Sequence, residues 1–377
     1  MRRLFVTCDF PPMTGGQSNY FKNLWLADAL PGDIFLVPGR CRQHCQVMPG
    51  HSFAYMPVPG SEGTLARIIR SVAVLFSCLF AYFRMGPLEF HAGQVLAGGI
   101  SGLVLNKLFK VPYVVYVFGA DVLEFREKAW GNRVIRAVLG NCRHIIACSN
   151  FTADLVRSAF VPTCPVSVIL PGVEDRFFSP DTTKAKAFRE TYGLTGKKIV
   201  LTVGRLVERK GHESVVRALP LVLKRLPETH YVIAGEGPNH HSLKTIARES
   251  GVDDHVTFLG SVSDNDLPAI YALADLFIML PKLMEHGDIE GFGIVYLEAS
   301  ASGLPVIASR NGGVVDAVIH NKTGILIDEP VTPEKIADAV VHMIENPFQF
   351  SGEAVRRARE LSWTNQRAAW RKTLEIT

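Results

Sequence analysis

The stretch Glu290-Gly291-Phe292-Gly293-Ile294-Val295-Tyr296-Leu297-Glu298 puts an acidic residue, a glycine-rich opening and a second acidic residue on one short segment. If a helix begins near Phe292, its first N–H groups lack partners within the helix and sit at the positive end of its dipole. Eight residues at the helical rise span about 12 Å, close to the separation of sugar and ribose in a nucleotide sugar with its diphosphate between. One segment can then touch all three parts. The plainer alternative makes Glu290 a helix cap and Glu298 an exposed helix residue. Ile294, Val295, Leu297 and Ala299 weigh against it, because they bury the helix, and a buried carboxylate without a partner is costly. A pair of ligand hydroxyls is a suitable partner for Glu298.

Two further loops carry unusual residues. In Gly204-Arg205-Leu206-Val207-Glu208-Arg209-Lys210-Gly211, Arg205 and Lys210 offer a planar fork and a point charge that suit a diphosphate leaving group. A solvated basic turn is an equal alternative, with Glu208 and Arg209 read as surface residues. In Asp9-Phe10-Pro11-Pro12-Met13-Thr14-Gly15-Gly16, the glycine pair opens a helix expected over residues 17–30. There an ordinary tight turn is the commoner reading and phosphate binding at free N–H groups the other. Neither loop holds a Walker-type Gly-Lys-Ser/Thr run or a strict G-x-G-x-x-G fingerprint, so kinases and dehydrogenases lose ground.

No metal is expected. Cys41, His44 and Cys45 approach a metal half-site, but no second ligand cluster completes a tetrahedron. Asp264-Asn265-Asp266 stands ahead of Leu267-Pro268-Ala269 and reads as a helix start.

The elements that must position these loops are short β-branched runs alternating with longer amphipathic stretches, the pattern of βα units and an α/β class. Strands are expected at residues 4–8, 34–37, 88–91, 113–116, 144–148 and 166–169. A second series follows at 199–203, 231–234, 256–259, 276–279, 306–308 and 324–327. Between the two series, Leu170-Pro171-Gly172-Val173 and a charged stretch form a linker. The expected domains are 1–172 and 173–362, each an open parallel sheet, facing across a cleft. Ligands of such sheets sit beyond the carboxyl ends of the strands, where these loops lie.

A chain of 377 residues with 47% hydrophobic content can bury two cores, which excludes disorder. The net charge of +4 is too small for a dedicated nucleic-acid binder. Seven scattered cysteines suit reduced thiols, and no signal-peptide core precedes Asp9, so the chain is expected in the cytoplasm.

In their order along the chain, residues 9–16, 204–211, Gly235-Glu236-Gly237-Pro238, 290–298 and Gly303-Leu304-Pro305-Val306-Ile307-Ala308 resemble retaining glycosyltransferases of family 4. The first loop and Asp288-Ile289-Glu290-Gly291 are most similar to the phosphatidylinositol mannosyltransferase branch. The resemblance implies the GT-B fold of two Rossmann-like domains, with the last helix, near 363–377, crossing back onto the first. It implies hexose transfer from a nucleoside-diphosphate sugar to a lipid or glycan hydroxyl, with no cofactor. GDP-mannose is the favoured donor and a UDP-sugar the alternative.

By the same resemblance, Gly204, Arg205 and Lys210 hold the diphosphate and Glu298 the ribose. Asp9, Gly15, Gly16 and the amides of Phe292, Gly293 and Ile294 meet the sugar or phosphates, Glu290 faces the anomeric centre, and Gly260 and Val262 lie by the base. Many relatives carry His-Gly where this chain has Phe118-Gly119-Ala120-Asp121. Asp121 is then the nearest polar candidate for catalysis, with a helix cap as its alternative. Competing classes are a non-catalytic nucleotide-sugar binder and a non-transferase GT-B enzyme.

The acceptor side is open. Residues 65–82, with Arg67, Arg70 and Arg84, mix apolar and basic side chains. A core-facing helix is the favoured reading, and peripheral contact with an anionic membrane at its inner face is the other. The unbroken apolar run 71–83 falls short of the roughly 20 residues that span a bilayer.

Overall fold

The computed structural model describes residues 2–13, 15–48, 50–60, 64–86, 88–126, 128–285 and 287–376. Thr14 of the first loop lies outside the described residues. By internal contacts the chain divides into Met1–Pro171 with Gln366–Thr377, and Gly172–Asn365.

The first unit is a seven-stranded sheet, β1 (Arg2–Val6), β2 (Ile34–Pro38), β3 (Ser52–Met56), β4 (Leu88–Ala92), β5 (Tyr113–Val117), β6 (His144–Ala147) and β7 (Val166–Val168). Its order is β3-β2-β1-β4-β5-β6-β7, with every neighbouring pair parallel. Central strands such as β5, Tyr-Val-Val-Tyr-Val, are buried along their whole length because helices cover both faces. The helix Asn150–Phe160 starts where the Ser149 side chain accepts from the Thr152 N–H. Trp370, in the final helix Trp363–Leu374, is fully buried in this unit and donates its indole N–H to the Tyr116 hydroxyl at 2.8 Å.

The second unit is a six-stranded parallel sheet, β8 (Lys198–Val203), β9 (Thr229–Ala234), β10 (Val256–Gly260), β11 (Leu276–Met279), β12 (Val306–Ser309) and β13 (Ile325–Ile327). Its order is β10-β9-β8-β11-β12-β13. The winding reverses between β1 and β4 in one unit and between β8 and β11 in the other, the crevices where open sheets take ligands.

The expected strands all appear, with ends shifted by a few residues. Strand β3 was not expected: its residues alternate weakly and it is an edge strand, half-exposed over most of its length. The helix expected over 17–30 is shorter, Gly16–Leu24 followed by a 3-10 turn at Leu26–Asp28.

The favoured core-facing reading of residues 65–82 holds for one face of the helix only. The helix Thr64–Met85 buries only one stripe, Ala66, Val74, Cys78 and Ala81. On its other side Leu65, Ile68, Phe76, Phe80 and Phe83 are each more than half exposed. By length and composition alone Leu65–Met85 would suffice to cross a bilayer, and 17% of its most apolar window is buried. The expectation that it is too short counted only the unbroken run, whereas the helix continues past Arg70 to Leu65.

Candidate active site

The loops after β8 and β11 are laced together at the crevice of the second unit. Gly211 (φ +73°) closes the first of them, and a Cβ there would fall 1.9 Å from the Leu280 carbonyl oxygen, so only glycine permits the approach. The Lys282 N–H donates to the Arg209 carbonyl at 2.8 Å. A single 3-10 turn, Glu208–Lys210, then presents two successive cations toward the segment that follows β11.

Glu290 receives both. Its Oε2 accepts from Lys210 Nζ at 2.6 Å and from Arg209 Nη1 at 2.7 Å, and Arg209 Nε reaches Asp288 Oδ2 at 3.0 Å. These side chains are 12 to 14% exposed except Asp288, which is open to solvent. Burial raises the Glu290 carboxyl, but the Lys210 and Arg209 charges outweigh it and hold the group below the usual carboxylate range. The Glu290 backbone is pinned from β12: its carbonyl accepts from the Gly313 N–H at 3.0 Å, and Gly312 (φ +54°) lies so close that a Cβ would sit 2.5 Å from the same oxygen.

The helix after Glu290 is Ile294–Ala301, with Gly293 in the left-handed region at its start. The helix thus begins two residues later than expected, and Glu290 stands on extended chain before it. The helical estimate of 12 Å between the carboxylates therefore does not hold, because only residues 294–298 of the interval rise helically. Phe292 is buried before the helix, and Tyr296 fastens it by donating to the Met279 carbonyl at 2.9 Å.

Glu298 is buried as expected from its apolar neighbours, yet it has a protein partner: Tyr271, in the helix Leu267–Ala272, donates to its Oε2 at 2.7 Å. Burial pushes the Glu298 carboxyl up to about 7, against the pull of Tyr271 and Arg176. Arg205 is exposed and makes no ion pair among the described residues, so the two expected cations differ: Lys210 is engaged and Arg205 is available.

Glycines bring three more loops together. A Cβ on Gly235 would meet the Gly204 carbonyl at 2.0 Å, and the Gly235 N–H donates to the Gly260 carbonyl at 2.8 Å. Gly204, Gly235 and Gly260 therefore join the ends of β8, β9 and β10, with Val262 half-exposed just beyond. Asp266 immediately precedes the helix Leu267–Ala272, and its N–H is met by the Ser263 hydroxyl at 3.2 Å.

In the first unit, Asp9 turns on Thr7, whose Oγ1 accepts the Asp9 N–H at 3.0 Å. Gly15 and Gly16 relieve no clash, since a Cβ on either meets nothing within 4 Å. Asp121 stands in the first turn of the helix Ala120–Arg126, and its Oδ1 accepts from the Phe118 N–H at 3.0 Å in the turn that precedes the helix. Burial raises its carboxyl to about 6 against the backbone N–H groups around it, and its Oδ2 is buried without a hydrogen bond. The Phe118 ring packs edge-on against Tyr20 and Phe21 at 5.4 and 5.5 Å.

Sequence reasoning missed Arg209 and Tyr271. Charge alone cannot tell which of two adjacent cations turns inward, and a tyrosine in an apolar helix signals only that its hydroxyl needs some partner. No group of three or more His, Cys, Asp or Glu that could hold a metal occurs among the described residues.

Comparison with known proteins follows the same division. A model described as Glycosyltransferase Family 4 matches residues 35–177, and one described as Glycosyl transferases group 1 matches residues 184–361. The chain is 40% identical over 359 residues to a GDP-mannose-dependent alpha-(1-6)-phosphatidylinositol monomannoside mannosyltransferase of Mycobacterium tuberculosis, covering 91% of this chain and 89% of that one. It is 34% identical over 293 residues to a D-inositol 3-phosphate glycosyltransferase of Corynebacterium glutamicum, covering 72% and 68%. Among solved structures, HepE of Anabaena in complex with UDP superposes with a TM-score of 0.79 at 18% identity over 100% of both chains. WaaG, a glycosyltransferase involved in lipopolysaccharide biosynthesis, gives 0.73 at 16% over 98% of this chain and 99% of that one. These two likenesses establish the two-domain GT-B fold.

Proposed function

The chain belongs to glycosyltransferase family 4, and we propose that within it this enzyme moves mannose from GDP-mannose to a hydroxyl of a phosphatidylinositol-type lipid, with retention of configuration. The observation that carries this reading is the Arg209–Lys210–Glu290 cluster at the β8/β11 crevice, with exposed Arg205 on the same loop. Donor and acceptor classes are drawn from what the 40% identical mannosyltransferase is named for.

Negative charge grows on the departing diphosphate as the sugar becomes oxocarbenium-like, so fixed positive groups at that place lower the barrier. Arg205 is free to take the diphosphate by its planar fork. Lys210 spans two tasks, holding Glu290 and lending its charge to the phosphates. Glu290, kept ionised by its two cations, faces the positive charge developing on the sugar. Glu298 accepts from the ribose hydroxyls, and Gly260 and Val262 flank the base. Arg205 and Lys210 would neutralise the leaving group without a divalent ion or a cofactor.

The first unit serves the acceptor and the transferred sugar through Asp9, Gly15 and Gly16, with Asp121 bracing the Phe118-Gly119 turn. The exposed apolar stripe of Thr64–Met85, flanked by Arg67, Arg70 and Arg84, suits peripheral contact with an anionic membrane, where a lipid acceptor resides, from the cytoplasmic side.

The deciding assay incubates labelled GDP-mannose with phosphatidylinositol and its monomannoside in mixed micelles, using wild type and Glu290→Ala. Transfer with an α-linked product, reduced by about 100-fold or more in the variant, is expected from loss of a charge at the reacting centre. Transfer from UDP-sugars alone, or undiminished turnover in Glu290→Ala, would overturn the assignment.

A further inference from the structure

In the first unit the chain leaving β4 places one side chain, Gln94, into the turn that follows β1. Gly93 makes the approach possible. Its N–H donates to the Val6 carbonyl at 2.8 Å, and a Cβ there would fall 2.9 Å from that oxygen and from the Phe21 ring. The Gln94 backbone is fixed as well, its carbonyl accepting the Gly99 N–H at 2.9 Å in the helix Ala97–Phe109.

Gln94 Oε1 accepts from the Cys8 N–H at 3.0 Å, and since a backbone N–H can only donate, this contact fixes which way the amide faces. Nε2 donates to Thr7 Oγ1 at 2.9 Å. The Thr7 hydroxyl is then full, because it also accepts the Asp9 N–H and donates to the Asp9 carbonyl at 3.1 Å. Two longer contacts compete for the second hydrogen of Nε2: Asp9 Oδ2 at 3.4 Å and Gln17 Oε1 at 3.5 Å. Gln17 lies in the first turn of the helix opened by the glycine pair. The one hydrogen left on this amide is thus within reach of both the Asp9 carboxylate and the helix start.

We propose that Gln94 is a positioning residue for sugar transfer, which fixes the turn after β1 and orients the Asp9 carboxylate toward a hydroxyl of the bound carbohydrate. The inference rests on the transferase reading above, in which Asp9 and Gly16 meet substrate. A glutamine that merely stitched the turn would need only its contacts to Cys8 and Thr7.

The test uses Gln94→Glu, which keeps the acceptor for Cys8 but removes both donated hydrogens and sets a second carboxyl against Asp9. In the full-length enzyme, kcat/KM for the acceptor is expected to fall about 10- to 100-fold, the effect of losing a hydrogen bond to a charged group. Affinity for GDP, read by calorimetry, is expected to stay within about twofold, because the GDP-binding residues belong to the other unit. The deficit is expected to shrink as pH falls, since two adjacent carboxyls share a proton that restores an O–H donor. Wild-type transfer at every pH, or a loss that tracks GDP affinity and does not recover in acid, would overturn the proposal.

A second measurement needs no turnover. Hydrogen exchange at the Cys8 and Asp9 amides is expected to quicken in Gln94→Ala while amides of β5 stay protected, and unchanged exchange would sink the role of Gln94 whatever the activity. If instead wild type transfers no sugar from any donor while these amides respond, the transferase reading fails and the loop-fixing role stands.

Discussion

Lys210 Nζ lies 2.6 Å from Glu290 Oε2 across 80 residues of sequence, in a site where each side chain is about one-eighth exposed. A carboxylate so placed keeps its charge only because cations face it, and a cation so placed is committed before any ligand arrives. Arg205, five residues earlier on the same loop, has no such commitment.

The two cations should therefore separate by experiment. Lys210→Ala leaves the buried Glu290 with Arg209 alone and is expected to cost about 1–3 kcal/mol of stability besides activity. Arg205→Ala, at an exposed site, is expected to weaken donor binding while leaving the melting temperature nearly unchanged. Thermal melts alongside GDP calorimetry check this, and equal melting losses in both variants would contradict it.

With Glu298 holding the ribose as proposed, it and Tyr271 are expected to set a pH dependence on nucleotide binding. The ionised carboxylate is the stronger acceptor for ribose hydroxyls, so GDP affinity is expected to rise with pH through about 7, where Glu298 titrates. Tyr271→Phe removes a hydrogen bond that favours the ionised form, and the midpoint should move to higher pH. Affinity independent of pH in both proteins would refute the link.

His212, the first residue of the helix His212–Leu223, is buried with both ring nitrogens lacking a hydrogen bond among the described residues. Burial, then the charge of Lys210, lowers its pKa to about 4. A base depressed on folding contributes stability that is complete above its unfolded pKa of about 6.5 and is lost as pH falls toward the folded value. Between those limits, His212→Gln is expected to flatten the decline of the melting temperature relative to wild type.

The exposed stripe of the helix Thr64–Met85 can be tested apart from catalysis. Phe76 and Phe80 are 67% and 68% exposed, so the double change to Ser is expected to leave the fold intact while sedimentation with anionic liposomes drops severalfold. Undiminished vesicle binding would shift attention to another surface.

The Glu290–Glu298 segment, the glycine-bearing loops and the alternation of strands and helices were all legible because they are local: period, turn chemistry and motif spacing are written within a few residues of one another. The same locality made the first strand of the second unit and the buried face of the Ile294–Ala301 helix readable from β-branched and apolar runs. The weak edge strand β3 escaped, since an edge pays no penalty for an irregular pattern.

The tertiary structure decided the rest, because each remaining choice is a pairing between distant residues. Arg209 turns inward rather than lying on the surface because Glu290 and Asp288, some 80 residues on, arrive at its loop. Tyr271 satisfies Glu298, and Gln94 reaches the turn after β1, through sheet order that neighbouring residues do not encode. The helix Thr64–Met85 shows the same limit. Its apolar character is plain from composition, but which stripe meets the sheet and which meets solvent depends on how much surface its neighbours can cover.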